Sequence, residues 1–147
     1  FKVFLKSRGA SINPHEELFF EAPEFRQFDY EFEFYPRSRK ELEAVQNIIF
    51  LFKYHMHPDL AANAQGGRLF YVPSEFEIHY AHLDRENEYM NKISKCVLEK
   101  CDVSYGPDEQ ASFFKGDERG APPVSYKMSL SFRETEFMTK DKIYRGY

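Results

Sequence analysis

The sequence lacks the features that would point to a membrane protein or a secreted one. No run of apolar residues approaches the ~20 that a transmembrane helix needs, so we expect no membrane span. The opening segment FKVFLKSRG is too short and too charged for a secretion signal. Without such a signal, the only two cysteines, Cys96 and Cys101, are expected to stay reduced. The chain starts at Phe1 and not at Met, which leaves open that it is part of a longer protein.

An excess of positive charge is also absent. The 20 Lys and Arg residues are outnumbered by 24 Asp and Glu residues, which gives a formal net charge of −4. Proteins that hold nucleic acid through its phosphates usually carry a basic excess, so a module for single-stranded nucleic acid is disfavoured. The pair Gly66-Gly67 stands outside any glycine-rich phosphate-binding motif. We therefore expect no cofactor.

Aromatic residues, by contrast, are abundant. The chain has 16 Phe and 10 Tyr, although it has no Trp. Aromatic side chains bury large areas at a small cost in rotamer entropy, so this excess suits a β-rich core or a subunit interface. A length of 147 residues is enough for one domain, residues 1–147.

A strong strand signal follows residue 24, where aromatic and acidic side chains alternate. The aromatic face contains Phe28, Tyr30, Phe32 and Phe34, and the acidic face contains Asp29, Glu31 and Glu33. Alternation with a period of two is typical of a strand with one buried face. Pro36 is expected to end this strand.

A helix is predicted to start after Ser38. Ser38 and Glu41 have the spacing of a capping box, in which each side chain satisfies a backbone donor at the helix start. Apolar residues then recur every three or four positions, at Leu42, Val45, Ile49, Phe52 and Met56. This spacing predicts one apolar stripe on a helix of about five turns. Ile48 and Leu51 are expected to widen the stripe, and Pro58 to end the helix.

Three further strands are predicted, at 75–81, 93–105 and 126–133. In the first, Phe76, Ile78 and Tyr80 share one face. In the second, the apolar alternation changes phase between 98 and 101, which a β-bulge would explain. The third alternates without interruption.

The remaining segments have no sustained periodicity. We expect a loop or short helical turn at 84–91, a loop at 106–123 and a polar tail at 139–147. One helix among four or five strands predicts an α+β domain dominated by an antiparallel sheet, folded as a barrel or sandwich.

Histidines and cysteines offer a possible metal or catalytic site. His55 and His57, with His79 and His82 as partners, are the candidates. Residues at i and i+2 of a helix do not face each other, so the first two could not share a metal on a helix. The two cysteines lack the CxxC spacing of zinc and redox motifs. A small metal-binding enzyme domain built on His55, His57, His79 and Cys96 is therefore kept only as an alternative.

The positions of the two cysteines also bear on a disulfide. If Cys96 and Cys101 lie on one continuous strand, their offset of five residues puts them on opposite faces and ~16 Å apart. That separation is far beyond disulfide reach.

The acidic residues have three possible roles. Asp29, Glu31 and Glu33, with Glu75 and Glu77, could supply paired carboxylates for acid–base catalysis. Carboxylates that alternate with aromatic residues more often form the solvated face of a strand. On the inner wall of a ring, the same residues would repel the phosphates of passing DNA.

Four ordered blocks of this sequence resemble one protein family. The blocks are NPHEELFFEAPEFRQFDYEFEFYPRSRKELEAVQNIIFLFKYHMHPDL, LFYVPSEFEIHY, CVLEKCDVSYGP and APPVSYKMSLSFRETEFMTKDKIYRGY. Their order and spacing resemble the tail-tube cap and tail-tube initiator proteins of T4-like contractile-tailed bacteriophages. The likeness runs from Asn13 to Tyr147, although no single motif in it is diagnostic.

The resemblance implies a tail-tube type of β-barrel or sandwich flanked by one helix. It implies six copies in a ring at the top of the baseplate hub, where the ring templates the tail tube and its lumen carries genomic DNA without specific binding. Neighbouring hub and tail-tube rings, and the tape-measure protein, would be its partners. Assembly in the host cytoplasm would place the protein in the virion, with no catalytic residue and no membrane.

Residue by residue, the resemblance implies two groups of functional positions. Contacts between subunits or rings are expected in the extended loop at 13–26 and the loop at 106–123, at Leu18, Phe19, Phe20, Phe25, Arg26, Phe113 and Phe114. Acidic residues facing the lumen are expected at Asp29, Glu31, Glu33, Glu75 and Glu77. Cap versus initiator, phage versus a related contractile injection system, and which strand faces the lumen all stay open.

Overall fold

The structure is a computed structural model that describes residues 23–60, 70–106, 113–116 and 118–147. Its elements are β1 (Gln27–Phe34), α1 (Arg39–Met56), β2 (Asp59–Leu60), β3 (Phe70–Tyr71), β4 (Ala81–His82), β5 (Arg85–Glu86), β6 (Cys96–Tyr105), β7 (Tyr126–Glu134) and α2 (Lys140–Tyr144). This mixture of helix and sheet is compatible with the predicted α+β class. Neither helix in the described part of the chain is long and apolar enough to cross a membrane.

A three-stranded antiparallel sheet with the order β1-β7-β6 forms the centre of the molecule. β2 with β3, and β4 with β5, form two small antiparallel pairs. None of these sheets closes on itself within the described residues, so no barrel is shown there. The barrel or sandwich stays a prediction.

The core lies on one face of this sheet, and the alternation of β7 explains why. Its even-numbered apolar residues are all buried, namely Tyr126, Met128, Leu130 and Phe132. Ile93, Cys96 and Leu98 complete the buried cluster. The odd-numbered residues of β7 are polar and point to the opposite side.

The predicted Ser38 cap starts α1. The Ser38 hydroxyl accepts a hydrogen bond from the Glu41 amide at 3.2 Å. The Glu41 carboxylate accepts one from the Arg37 amide at 2.7 Å, one residue before the cap. The first bond satisfies a donor of the first turn, while the second reaches the amide before the cap and not the Ser38 amide that a capping box would bind.

α1 packs on the core face of the sheet along one stripe. Val45 is buried, and Ile49, Phe52 and Met56 pack against the core cluster. The expectation that Ile48 and Leu51 widen the stripe is wrong, because their side chains are 36% and 52% exposed. A helix lying on a sheet contacts it along one side only, so residues rotated away from that side stay in solvent.

The predicted bulge in β6 is confirmed. Leu98 pairs with Phe132 and Lys100 pairs with Ser131, which leaves Glu99 as the extra residue. One extra residue in a strand changes which of the following side chains point to each face of the sheet, so odd and even positions exchange faces after the bulge.

This bulge corrects the expectation for the cysteines. Cys96 pairs with Glu134 and Cys101 with Leu130, so both thiols face the core and not opposite sides. Their partners are four residues apart on β7, or about 13 Å along the strand. Both cysteines are free.

The strand expected at 75–81 is wrong for most of its length. Only Phe76 pairs, in an isolated antiparallel bridge with Cys96. Phe76, Ile78 and Tyr80 nevertheless pack on the core cluster, and the Tyr80 hydroxyl lies 2.7 Å from that of Tyr30. The apolar alternation therefore correctly indicates which side chains of this segment are buried, although its backbone does not pair as a strand beyond Phe76.

Two segments without periodicity contain short elements that the sequence reading missed. Within 84–91, β5 folds back on β4 through a tight turn in which Leu83 and Asp84 have φ of 47° and 61°. These angles match the two-residue turns that suit hairpins. The polar tail contains α2, whose first turn is capped by Thr139. The described residues thus contain two helices where one was expected.

Candidate functional site

The outer edge of β1 is the first part of the site. Residues of an antiparallel strand send their backbone groups alternately toward the partner strand and away from it. The Glu134 amide donates to the Arg26 carbonyl at 3.0 Å, and the register that follows is unbroken, so even-numbered residues of β1 face β7. The backbone groups of Gln27, Asp29, Glu31 and Glu33 face outward. They have no backbone partner among the described residues.

The outer edge of β6 is the second part. Cys96 exchanges two backbone hydrogen bonds with Phe76, at 2.7 and 2.9 Å. From 97 to 105, no strand of the described chain pairs with β6 on this side. Among the described residues, the central sheet therefore has two long edges without a partner strand, and such edges can accept one.

The open face, defined as the side of the sheet opposite α1, is the third part. The odd-numbered side chains of β1 point to it, and Asp29, Glu31 and Glu33 are exposed there. Because the bridge to Cys96 turns Phe76 toward the core, the flanking Glu75 and Glu77 point to the open face. The structure thus brings all five acidic candidates to one side of the sheet.

Several of these acids have partners. Glu31 pairs with Lys127 at 3.1 Å, and Glu75 pairs with Lys95 at 3.3 Å. Asp29 accepts a hydrogen bond from the Ser131 hydroxyl, and this bond holds the pKa of Asp29 below its usual value. The open face is therefore acidic but not uniformly so.

β6 adds further pairs to the open face. Lys100 donates to Asp102 at 2.7 Å, which raises the pKa of Lys100. Glu99, the bulge residue, pairs with Arg133 at 3.1 Å. Counting the described residues, the face then has seven carboxylates and four cations, so their sum is negative.

An aromatic side chain remains uncovered beside the β1 edge. Phe32 faces the same side as the core, yet it is 43% exposed. Its ring stacks on Phe34, with centroids 6.5 Å apart. Phe32, on the edge strand of the core face, is therefore only partly covered.

The chain matches no protein-family model and no curated protein. The two edges, the open face and the exposed aromatic residues are what bear on its function.

The predicted contact residues near the start of β1 fall into two sets. Leu18, Phe19 and Phe20 lie outside the described residues. Phe25 stacks on Phe137 with ring centroids 4.2 Å apart and is 40% exposed. Arg26 binds Glu134, so its role within the chain is structural. A contact with a neighbour through either residue stays a prediction.

The predicted contact residues of the second loop are on the surface. Phe113 is 54% exposed and Phe114 is 44% exposed. Phe113 bridges to Pro123, and the Phe114 amide donates to the Pro122 carbonyl at 2.9 Å. These bonds hold both aromatic rings at the end of the molecule where β7 begins.

The candidates for a metal or catalytic site are dispersed. His55 Nδ1 lies 3.0 Å from the Ser74 hydroxyl, and His57 Nδ1 donates to the Lys53 carbonyl at 2.6 Å. His79 and His82 are exposed, with the former beside Glu77 at 3.8 Å, and Cys96 is buried in the core. Burial raises the pKa of the Cys96 thiol to about 11. Within the described ranges, no three His, Cys, Asp or Glu residues form a group that could hold a metal.

The main feature that sequence reasoning missed is a buried ion pair. Glu134 is 1% exposed and accepts two hydrogen bonds from Arg26, both at 2.7 Å, and one from the Ser94 amide at 2.8 Å. Burial alone would raise the pKa of Glu134, but the bonds from Arg26 and Ser94 and the charges of Arg26 and Lys142 together lower it. The signal was present in the alternation, because Arg26 and Glu134 continue the inward-facing positions of β1 and β7.

Proposed function

We propose that this chain is a structural subunit of a hexameric ring at the junction of baseplate hub and tail tube in a contractile phage. The ring templates tube assembly and lines the DNA channel. A tube or baseplate ring of a related contractile injection system is the alternative within the same class. The observation that carries the proposal is the outer edge of β1, which has no partner strand in the part of the chain that the structure describes, together with the ordered sequence resemblance.

Two free edges on one sheet suit a closed ring. β1 and β6 are both antiparallel to β7, so they run in the same direction. A neighbour related by rotation would therefore set its β6 parallel to this β1, and the pairing would continue around the ring. Strands of eight and ten residues are long enough for such a ladder. The joined sheets would form the tail-tube type of barrel, which closes only in the assembly.

The exposed aromatic residue beside this edge supports the same arrangement. A strand added next to β1 would bring its own apolar face over Phe32, because paired residues share a face. Covering an aromatic ring contributes favourably to association. Monomers left with such an edge would be prone to uncontrolled pairing.

The open face suits the wall of a channel for DNA. Its carboxylates, including Asp29, Glu31 and Glu33, outnumber its cations. A net negative wall repels phosphates, so DNA would slide past without sticking. Genomic DNA then passes through the channel without specific binding. The neighbouring hub and tube rings, and the tape-measure protein, are the partners along the tail axis.

The β1 edge can be tested by one backbone substitution. Glu31→Pro removes an outward N–H, while the side chain it replaces already lies on the open face. We expect the variant to fold and to lose ring particles in electron microscopy and in sedimentation. Glu31→Ala is the matched control, since it loses the same carboxylate but keeps the N–H, and should still form rings. Rings of unchanged yield from Glu31→Pro, or a wild-type chain that stays monomeric at high concentration with its partner rings present, would contradict the proposal.

A further inference from the structure

The hairpin formed by β4 and β5 has an unfavourable residue at its tip. Leu83 and Asp84 make the two-residue turn, and in the described part of the chain no other non-glycine residue has a positive φ. Such turns favour Asn, Asp and Gly, because most other side chains crowd the backbone at positive φ. Asp84 fits this preference, but Leu83, with a φ of 47°, does not. Leucine at this position therefore costs backbone free energy.

Packing within the chain does not offset this cost. Leu83 is 83% exposed, so it contributes almost no apolar burial to the fold. A residue in a strained conformation persists where the surrounding structure or a function requires it. Since the core gains almost nothing from the Leu83 side chain, a contact outside the chain is the better explanation for it.

A second apolar side chain follows the hairpin. Tyr89 is fully exposed. Its amide donates to Asn87 Oδ1 at 3.1 Å, and the Asn87 amide donates to the Tyr80 carbonyl at 2.8 Å. Tyr80 itself packs against the core cluster. The backbone that presents Leu83 and Tyr89 is thus anchored to the core, so less entropy is lost when the hairpin binds a partner.

The charges around these two side chains are mostly negative. Between 82 and 90, Asp84, Glu86 and Glu88 are exposed acids, and Arg85 is the single lysine or arginine. None of these four side chains forms an ion pair with another described residue. Three negative charges against one positive charge leave an excess of two that the described chain does not neutralise.

We propose that the hairpin docks on a neighbouring protein of the assembly and inserts Leu83 into an apolar pocket bordered by Lys and Arg. The gain from burying Leu83 in the pocket would offset the cost of its backbone conformation. The acidic side chains of the hairpin would face the cations of the rim, which gives orientation and specificity. The inference rests on the proposed assembly function, but it names a contact that the strand edges do not make.

The hairpin lies away from the edge that is proposed to join copies in the ring. The chain leaves it through Lys92, whose carbonyl accepts a hydrogen bond from Arg26 at 3.2 Å. Arg26 precedes β1 and binds Glu134 at the end of β7. The hairpin is therefore connected to the end of the sheet where β1 begins, while the outer edge of β1 runs along its side. For this reason we assign the contact to a different protein from the copy that pairs with β1.

The first test measures the stability of the purified chain by urea unfolding. Leu83→Asn should raise the equilibrium constant for folding about fivefold, because Asn adopts positive φ more readily and no buried contact is lost. Leu51→Asn is the matched control, since Leu51 is 52% exposed but lies in α1. That control should lower the constant, because Asn is a poorer helix former than Leu. A loss of stability in Leu83→Asn would mean that Leu83 serves the fold, and would overturn the inference.

The second test locates the partner in particles purified from the cells that make the chain. A benzophenone side chain in place of His82, next to the turn, cross-links on illumination to whatever lies against it. We expect one dominant cross-link, which peptide mass spectrometry should map to an apolar pocket bordered by Lys and Arg on a different protein. Adding Leu83→Asn should reduce its yield about fivefold or more, as for an anchor residue, whereas adding Leu51→Asn should not change it. A cross-link to a second copy of this chain, or a yield that Leu83→Asn does not alter, would overturn the inference.

Charge changes test the chemistry of the partner. Glu86→Lys should reduce the cross-link several-fold. Glu118→Lys is the control, since it changes the net charge equally at an exposed position in the loop before β7 and should leave the yield unchanged. Salt near 1 M, where the screening length is ~3 Å, should also weaken the cross-link. A cross-link that no charge change affects would overturn the basic rim of the proposed pocket.

The outcomes separate this docking from the ring itself. Rings in electron microscopy without a cross-link from position 82 would overturn the docking and leave the proposed function standing. A cross-link that responds to Leu83→Asn, in particles that contain no ring, would support the docking and count against the ring.

Discussion

The two faces of the central sheet hold the same kind of ion pair in opposite surroundings. On the core face, Arg26 binds Glu134, whose side chain is completely buried. On the open face, Arg133 binds Glu99 at 3.1 Å, and their side chains are 46% and 38% exposed. Both pairs join β7 to a neighbouring segment, so the main difference between them is the exposure of their side chains to solvent.

The difference in burial determines how much each ion pair contributes to the fold. A buried carboxylate without its partner would face an apolar core, so the Arg26–Glu134 pair fixes where the chain enters β1. An exposed pair exchanges its partner for water at little cost. The core face therefore fixes the architecture, while changes on the open face should cost the fold little.

Truncation on the two faces of β7 should give the largest contrast. Leu130→Ala removes a side chain that is 2% exposed, so we expect a loss of about 2–5 kcal/mol in the free energy of unfolding. Ser131→Ala, on the open face next to it, removes only the hydroxyl that binds Asp29 and should change stability little. Urea unfolding followed by circular dichroism measures both. Equal losses would mean that the faces are wrongly assigned.

Breaking the two ion pairs should give the next contrast. Arg26→Met leaves the Glu134 carboxylate buried without its cation, so we expect a loss of about 3 kcal/mol. This is the lower end of the usual range, because the Arg26 side chain is itself 27% exposed. Arg133→Met is the matched control and should cost below about 1 kcal/mol. A control that costs as much as Arg26→Met would show that burial does not distinguish the pairs.

The longer elements could be predicted from the sequence because each has a signal of its own. The alternation of β1 and β7, the cap of α1 at Ser38 and the phase change in β6 are all local patterns, and the structure confirms them. The segment at 75–81 fails for a physical reason, since alternation reports which side chains are buried and not which backbone groups are paired.

The candidate site could be predicted only in part. The five acidic residues share a face because alternate residues of extended backbone point to opposite sides, and this alternation can be read directly from the sequence. That the β1 edge has no partner strand among the described residues depends on the order of strands in the sheet, which the sequence does not encode locally. α2 has helix signals only at its ends, Thr139 before it and Gly146 with φ of 92° after it, so the apolar pattern does not predict its single turn.

The acid dependence of folding should give the smallest of the three contrasts. The pKa of Glu134 is lowered in the folded chain from a usual value of 4.5, so the unfolded chain binds the proton more readily. Its contribution to stability is therefore complete above about pH 5.5 and is lost as the pH falls through the folded pKa. The effect should be smaller than that of Arg26→Met, because a protonated Glu134 keeps some of its hydrogen bonds. Urea midpoints between pH 6 and 3 should fall less steeply in Glu134→Gln than in the wild type, whereas Glu99→Gln should keep the wild-type slope. If the slope survives in Glu134→Gln, the acid sensitivity lies in the exposed carboxylates of the open face and the buried pair does not set it.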